Sequence, residues 1–149
     1  MEPLYFEDLP VGRSFTSGSV TVSEAEIIAF ARQFDPQFFH LDPEAAKTSL
    51  FKGLAASGWH TAGLTMRLLT AGHMPIAGGL IGRGTDQLEW VRPVRPGDTL
   101  RVETEVIEAR RSITRPRQGW VKMRNTTLNQ RDQPVQIFVP LMPVPVRGA

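Results

Sequence analysis

The sequence predicts an α+β fold in which helices pack against an antiparallel sheet. One strand-like segment at residues 14–20 precedes the helical patterns, and after residue 77 the chain changes to four consecutive strand-like segments. Strands that are grouped apart from helices are typical of this class. The longest helical pattern, residues 57–71, is apolar over much of its circumference, so we expect it to be buried against the sheet. Gly72 and Pro75 end it.

The other helices are predicted between the first strand and this long helix. A first helix is expected over residues 24–33, because Ser23 is a suitable N-cap and a glutamate follows it at capping-box spacing. Pro36 disfavours helical geometry at the residue before it, so the helix ends there. We expect a loop over residues 35–43 and a short helical turn over residues 43–49.

The strands of the second half are rich in Val, Ile, Thr and Trp. Residues 99–106 alternate in part between apolar and polar, as a half-exposed antiparallel strand does. Residues 96–98 and 129–132 have the composition of turns. The predicted strands are residues 80–91, 99–109, 119–129 and 135–146.

Composition narrows the class of protein. The chain has 149 residues, no cysteine and three histidines. About 150 residues form one ordinary domain, so we expect a single domain over residues 1–149. The lack of cysteine excludes disulfide scaffolds, thiolate catalysis and Cys-rich zinc sites. The three histidines contain no i,i+4 pair, so no metal site is expected.

The net charge of +2 is unevenly distributed. Residues 1–75 have five basic and eight acidic side chains (net −3), and residues 76–149 have twelve and seven (net +5). Residues 110–124 contain six basic side chains and no acidic one. This segment either meets a phosphate-bearing ligand or is a solvated strand pair with its loop. It carries no nucleic-acid-binding motif, so no nucleic acid partner is expected.

No membrane or export segment is expected. The N-terminus has acidic residues where a signal peptide requires a basic start and an apolar run. The most apolar segment, residues 135–146, is broken by three prolines and is shorter than the ~20 residues that span a bilayer. We therefore expect a cytoplasmic enzyme or binding domain.

Asp35 and His40 are the first candidates for catalysis. They lie five residues apart in the predicted loop, with Phe34, Phe38 and Phe39 around them. Apolar surroundings perturb pKa values, as acid–base catalysis requires, and an imidazole is well suited to proton transfer near neutral pH. The same spacing also fits a loop hydrogen bond and a packed histidine.

Gly58 is the third candidate, because it opens the long helix. Amide groups in a first helical turn have no acceptor inside the helix, and the helix dipole there favours negative charge. A carbonyl oxygen directed at the Gly58 N–H would be stabilised as an oxyanion. Alternatively, Ser57 is only the N-cap and Gly58 a packing residue.

The stretch from Asp35 to Gly58 resembles the MaoC-like dehydratase family, which includes the (R)-specific enoyl-CoA hydratases. That family carries Asp-x-Asn-Pro-x-His and, about twenty residues later, a glycine that opens a central helix. Asp35 and His40 match the catalytic pair in identity and spacing, and Gly58 falls at the oxyanion glycine. Residues 92–100 are similar to a hairpin of the family, and the resemblance covers about residues 5–145.

The resemblance implies a hot-dog fold, in which a curved antiparallel sheet wraps around a long central helix. It implies reversible syn addition of water to a trans-2-enoyl thioester, with coenzyme A present only as part of the substrate and no metal or redox cofactor. Asp35 and His40 would bind and activate the water, one taking its proton and the other protonating the α-carbon. The Gly58 N–H would polarise the thioester carbonyl. A homodimer, or a higher homo-oligomer built from dimers, is also expected.

Further residues are predicted to contact the acyl thioester. His60 either lines the pocket or packs in the core or at an interface, and three arginines are candidates for the phosphates of coenzyme A. The predicted substrate-binding set is Phe38, Phe39, Ser57, Trp59, His60, Arg83, Arg115 and Arg117.

Two alternative functions are left open. Hot-dog acyl-CoA thioesterases usually depend on an acidic residue on or beside the central helix, and residues 57–71 contain none. A non-catalytic acyl-thioester binding protein would have no need of a buried pair of proton-handling side chains.

Overall fold

A computed structural model of the chain describes residues 1–148, in which one five-stranded antiparallel sheet packs against a long helix. The sheet order is β1-β3-β4-β5-β2. This confirms the expected α+β hot-dog arrangement. The elements are β1 (Ser14–Thr21), α1 (Glu24–Phe34), α2 (Phe38–Leu41), α3 (Pro43–Ala46), α4 (Gly58–Leu69), β2 (Gly84–Trp90), β3 (Thr99–Arg111), β4 (Gln118–Leu128) and β5 (Pro134–Pro145).

The core lies between α4 and the concave face of the sheet. Leu64 and Leu68 of α4 are buried in one cluster with apolar residues of β3, β4 and β5. On β3 the buried side chains alternate with more exposed ones, so that Leu100 and Val102 point to the helix. Each such buried side chain contributes about 1.5–3 kcal/mol by leaving water. The helix is therefore fixed along its length against the sheet.

Three predicted boundaries in the first ninety residues are wrong. Residues 38–41 form a helical turn inside the predicted loop, closed by the hydrogen bond from the Asp42 N–H to the Phe38 carbonyl (3.0 Å). The next helix ends at Ala46, three residues earlier than expected. Strand β2 begins at Gly84 instead of residue 80, because Gly78 and Gly79 adopt positive φ and turn the chain before it can pair.

The segment between β2 and β3 turns where the sequence indicated. Gly97 has φ of +86°, and the Asp98 carboxylate accepts a hydrogen bond from the Arg95 N–H (2.8 Å). This turn places residues 91–95 beside the start of α4, where the Ala56 N–H donates to the Val94 carbonyl (2.9 Å). Over residues 1–148, no helix combines the length and the apolar character needed to cross a membrane.

Candidate active site

The carboxylate of Asp35 and the imidazole of His40 lie side by side near the start of α4. Asp35 is the C-cap residue of α1 and His40 belongs to the single turn of α2. Asp35 Oδ2 is 3.3 Å from His40 Nε2, and the two side chains are only 18% and 5% exposed. Pro36 ends α1 before α2 begins, and this break in the chain lets the carboxylate and the imidazole predicted from the sequence contact each other.

The other nitrogen of His40 fixes its tautomer. Nδ1 lies 2.5 Å from the carbonyl oxygen of Ala55, which can only accept, so Nδ1 carries the proton. In the neutral imidazole, Nε2 is then an acceptor that faces the Asp35 carboxylate. Both atoms can accept a hydrogen bond from a water molecule that approaches this edge of the pair.

The pKa of Asp35 lies below its usual value. Partial burial raises it, but hydrogen bonding to Gln37 and Ser57 and the nearby His40 together outweigh burial. The Gln37 amide donates to Asp35 Oδ1 at 2.6 Å. Gln37 stands at the Asn of the family pattern and Phe38 at its Pro, so an amide side chain one methylene longer contacts the carboxylate in this chain. Asp35 is consequently a carboxylate at neutral pH.

Gly58 begins α4 beneath the indole of Trp90. A Cβ atom built on Gly58 would lie 2.4 Å from two ring atoms of Trp90, so no larger residue fits without moving the ring. The Ser57 hydroxyl caps the helix by accepting from the Trp59 N–H (3.2 Å). No acceptor among residues 1–148 takes the Gly58 N–H. Gly58 therefore packs closely against the indole, as one sequence interpretation predicts. Its unbonded amide is compatible with the oxyanion interpretation, which stays a prediction.

His40 and Gly58 line one cavity of about 320 Å³. Its walls are mainly apolar, and its polar groups come from α2, α4 and the segment after β2. Besides these two residues, the cavity is lined among others by Phe51, Thr61, Trp90 and Arg92. A concave site with a few convergent polar groups is the usual form of a small-molecule site.

A larger concavity of about 490 Å³ lies over β1, β3 and β4. Its charged side chains include Glu105 and Arg124, which form an ion pair with each other at 2.8 Å. It contains neither an imidazole nor a free helix terminus. We therefore assign the site to the smaller cavity, where Gly58 and His40 meet.

None of the eight predicted substrate-binding residues is among those that line this cavity, although some of them lie next to it. Trp59 contacts the cavity residue Trp90 edge-on, with ring centroids 5.0 Å apart. Phe39 packs edge-on against the His40 ring at 4.6 Å, while Phe38 is 48% exposed. Phe39 thus supports the imidazole instead of lining the cavity.

His60 turns away from the cavity into the packing between helices. Its ring stacks on Phe30 of α1, with centroids 4.7 Å apart and an angle of 6° between the planes. Burial lowers the pKa of His60, against a smaller opposing effect of Glu26. Of the two positions that the sequence left open for it, the packed one is observed.

The three predicted phosphate-binding arginines lie at the other end of the sheet. Arg83 precedes β2 and stands over the ring of Trp120, with 5.3 Å from guanidinium to ring centroid. Arg115 and Arg117 line a groove beside the end of β5 that pairs with the start of β4. Trp90 pairs with Gln136 at the opposite end of β5, roughly 30 Å away at 3.3 Å per residue. Within one chain, these arginines do not join the cavity.

Sequence reasoning missed two side chains: Arg95, which follows the cavity residue Val94, and Trp90, which lines the cavity. Arg95 donates to the carbonyl oxygens of Phe51 and Leu54 (3.2 Å for Leu54), and so holds the segment that leads to the Ala55 carbonyl. Trp90 has the sequence pattern of an ordinary strand residue, and only the turn after β2 shows that it covers Gly58.

Among residues 1–148, no three His, Asp or Glu side chains converge in a way that could hold a metal ion.

Comparison with known proteins gives consistent relatives. Residues 8–128 match the family model described as the MaoC like domain. A crystal structure of a MaoC-like dehydratase from Rhodospirillum rubrum is 51% identical, with a TM-score of 0.95 over 98% of this chain and 99% of that one. The unliganded R-hydratase PhaJ1 from Pseudomonas aeruginosa is 26% identical, with a TM-score of 0.75 over 97% of this chain and 88% of that one.

A relative found by sequence comparison belongs to the same group of proteins. The (R)-specific enoyl-CoA hydratase of Rhodospirillum rubrum is 34% identical over 97 residues, which is 64% of this chain and 65% of that protein. These similarities favour, in general terms, a hydratase or dehydratase that acts on acyl thioesters.

Proposed function

The chain belongs to the MaoC-like dehydratase family, and from this premise we propose that it adds water reversibly to trans-2-enoyl thioesters such as enoyl-CoA. The observation that carries the proposal is the Asp35–His40 contact of 3.3 Å beside the cavity that Gly58 opens. The reaction needs a bound water, a group that accepts and returns a proton, and a donor for the developing oxyanion. Each has a candidate here.

The water lies at the edge of the pair formed by Asp35 Oδ2 and His40 Nε2 and donates one hydrogen to each. Its oxygen attacks the β-carbon of the enoyl group while His40 Nε2 takes one proton. His40 has the role of base. The lowered pKa of Asp35 makes its carboxylate a weak base, whereas an imidazole is well suited to accepting a proton from water near neutral pH. The imidazolium then passes this proton to the α-carbon, so that the elements of one water are added across the double bond.

Asp35 has two tasks in this scheme. It orients the water through Oδ2, and its negative charge stabilises the imidazolium that forms 3.3 Å away. The Nδ1 hydrogen bond to the Ala55 carbonyl keeps Nε2 directed at the water throughout. Both additions come from the same side of the substrate, because one nitrogen receives and delivers the proton. The stereochemistry is therefore syn.

The thioester carbonyl is directed at the Gly58 N–H. As the β-carbon is attacked, negative charge moves to the carbonyl oxygen, and an amide at a helix N-terminus stabilises it. A single preorganised donor of this kind commonly contributes about 2.7–4 kcal/mol of transition-state stabilisation. The proposal also includes a second copy of the chain, since Trp90 of the cavity wall (42%) and Trp59, which packs against it (59%), are strongly exposed.

The test is hydration of crotonyl-CoA, followed as loss of the enone absorbance. We expect Asp35→Asn and His40→Gln to lower kcat by at least about 10²-fold, within the range ascribed to general acid–base catalysis, while circular dichroism stays that of the wild type. Wild-type-like turnover by either folded variant would contradict the proposal. Release of free thiol from saturated acyl-CoA would instead identify a thioesterase, and binding without any turnover a binding protein.

A further inference from the structure

A chain of buried hydrogen bonds crosses the space between the sheet and α4 next to the cavity. Trp90 Nε1 donates to Gln136 Oε1 (2.9 Å), and Gln136 Nε2 donates to Thr65 Oγ1 (3.0 Å). The Thr65 and Thr127 hydroxyls are 2.7 Å apart. Gln136 and Thr65 are 0% and 1% exposed. We refer to the side chains of Trp90, Gln136 and Thr65 as the polar bridge.

The polar bridge stands between two cavities along the same face of α4. On one side is the catalytic cavity of about 320 Å³, to which α4 contributes Gly58 and Thr61. On the other side is an apolar cavity of about 30 Å³, to which α4 contributes Met66 and Leu69. Thr65 lies between these two pairs of residues in the helix. We refer to the second space as the methionine cavity, because Met74, Met123 and Met142 also line it.

The strands repeat this order from the side of the sheet. On β5, Gln136 belongs to the polar bridge and Phe138 lines the methionine cavity. On β4, Thr127 bonds to the polar bridge and Asn125 lines the methionine cavity. Gln136 pairs with Thr127, and Phe138 with Asn125, in the β4–β5 ladder. The helix and the sheet therefore show the same spatial order: the catalytic cavity, then the polar bridge, then the methionine cavity. The polar bridge separates the two cavities.

An acyl chain held at Gly58 and running along α4 meets this partition early. Thr65 follows Gly58 by seven residues, which is about 10 Å along the helix axis. A methylene group offers no hydrogen bond to Gln136 or Thr65, so pushing between them would leave buried polar groups unpaired. A chain that ends within this distance, as a crotonyl group does, stops before the polar bridge, whereas a chain that extends beyond it must break the bridge.

Building on the proposed function, we propose that the polar bridge restricts this protein to short-chain enoyl thioesters, with Gln136 as the specificity-determining residue. The methionine cavity behind it is apolar, and its flexible Met side chains can move apart. Removal of the Gln136 side chain joins the two spaces and lets a longer chain enter.

The experiment compares kcat/KM for crotonyl-CoA and trans-2-decenoyl-CoA in the wild type and three variants. Gln136→Ala removes both hydrogen bonds and the bulk, whereas Gln136→Met removes the hydrogen bonds and retains most of the bulk. Thr65→Ala opens the polar bridge from the helix side. Circular dichroism checks folding, and Thr65→Ala carries the same test if Gln136→Ala does not fold. Calorimetric binding of decanoyl-CoA, which cannot react, gives a readout that is independent of turnover.

We expect the wild type to favour crotonyl-CoA. We expect Gln136→Ala to raise the ratio of kcat/KM for the decenoyl thioester to kcat/KM for the crotonyl thioester by roughly tenfold or more. This is the discrimination that a single methylene group commonly produces in an apolar pocket. Gln136→Met removes the hydrogen bonds but leaves a flexible apolar side chain in place, so it should raise the ratio less than Gln136→Ala does. A wild type that uses both substrates equally, or an unchanged ratio in folded Gln136→Ala and Thr65→Ala, would overturn the inference.

Failure of the proposed function would look different. In that case the wild type hydrates neither thioester. Calorimetric binding of decanoyl-CoA still tests whether the polar bridge blocks a long acyl chain. Tighter binding of decanoyl-CoA to Gln136→Ala than to the wild type then supports a partition. Equal affinity, or no binding to either protein, overturns it.

Discussion

Gly58→Ala tests the packing of the α4 N-terminus against Trp90. The new Cβ would lie 2.4 Å from Trp90 Cδ2 and Cε2, whereas ordinary contacts begin at 3.4 Å, so the ring must retreat by about 1 Å. That movement strains the hydrogen bond from Trp90 Nε1 to Gln136 Oε1, now 2.9 Å long. The indole is 42% exposed, so it can swing outward without disrupting the core.

The magnitude follows from these contacts. Overpacking commonly costs about 1–3 kcal/mol, and a lost hydrogen bond about 0.5–1.5 kcal/mol. The better helix propensity of alanine offsets up to about 1 kcal/mol of this. We expect a net loss of about 2 kcal/mol in the free energy of unfolding, or a Tm lower by roughly 4–8 °C. Urea denaturation followed by far-UV circular dichroism measures the first quantity, and a thermal melt the second.

A double-mutant cycle shows whether Trp90 is the cause. In a Trp90→Ala background the added methyl has open space, so Gly58→Ala should become neutral or stabilising. If Gly58→Ala is as stable as the wild type, or is equally destabilised with and without the indole, the packing argument is refuted.

Two further predictions concern the groups that hold the catalytic pair. Gln37→Leu removes the shortest hydrogen bond to Asp35, so the pKa of this carboxyl should rise towards its ordinary value. Its lowered pKa stabilises the fold at pH values above the ordinary carboxyl pKa, and this contribution disappears as pH falls through the native value. The variant should therefore lose stability mainly above about pH 4; a plot of the free energy of unfolding against pH that coincides with that of the wild type would contradict this. Arg95→Met removes the guanidinium that binds two carbonyls before Ala55, so we expect a loss of about 1.5–3 kcal/mol in urea denaturation and a fall in kcat with little change in KM. Arg95→Lys is the matched control, since it keeps the charge but lacks the fork, and full recovery by lysine would refute the assigned geometry.

Sequence reasoning located the catalytic candidates because their signals are local. Asp35, His40 and Gly58 lie within 24 residues, and their spacing carries the family resemblance. Within one chain, Arg83, Arg115 and Arg117 do not join the cavity. Positive charge along a strand does not say which end of the sheet holds the site. The helical turn of α2 was also missed, since four residues between two prolines are too few for a periodic signal.

The sequence by itself determined the order of the strands and longer helices and the burial of the central helix, and it supplied Asp35 and His40 as candidates for the proton-handling pair. These follow from hydrophobic period, proline and glycine positions, and short-range spacing. Only the tertiary structure decided that Trp90 covers Gly58, that Arg95 ties down the segment before Ala55, and that Gln136 meets Thr65 across the core. Those contacts join residues 32 to 71 positions apart in the chain, and they depend on strand register and helix rotation, which no local pattern encodes.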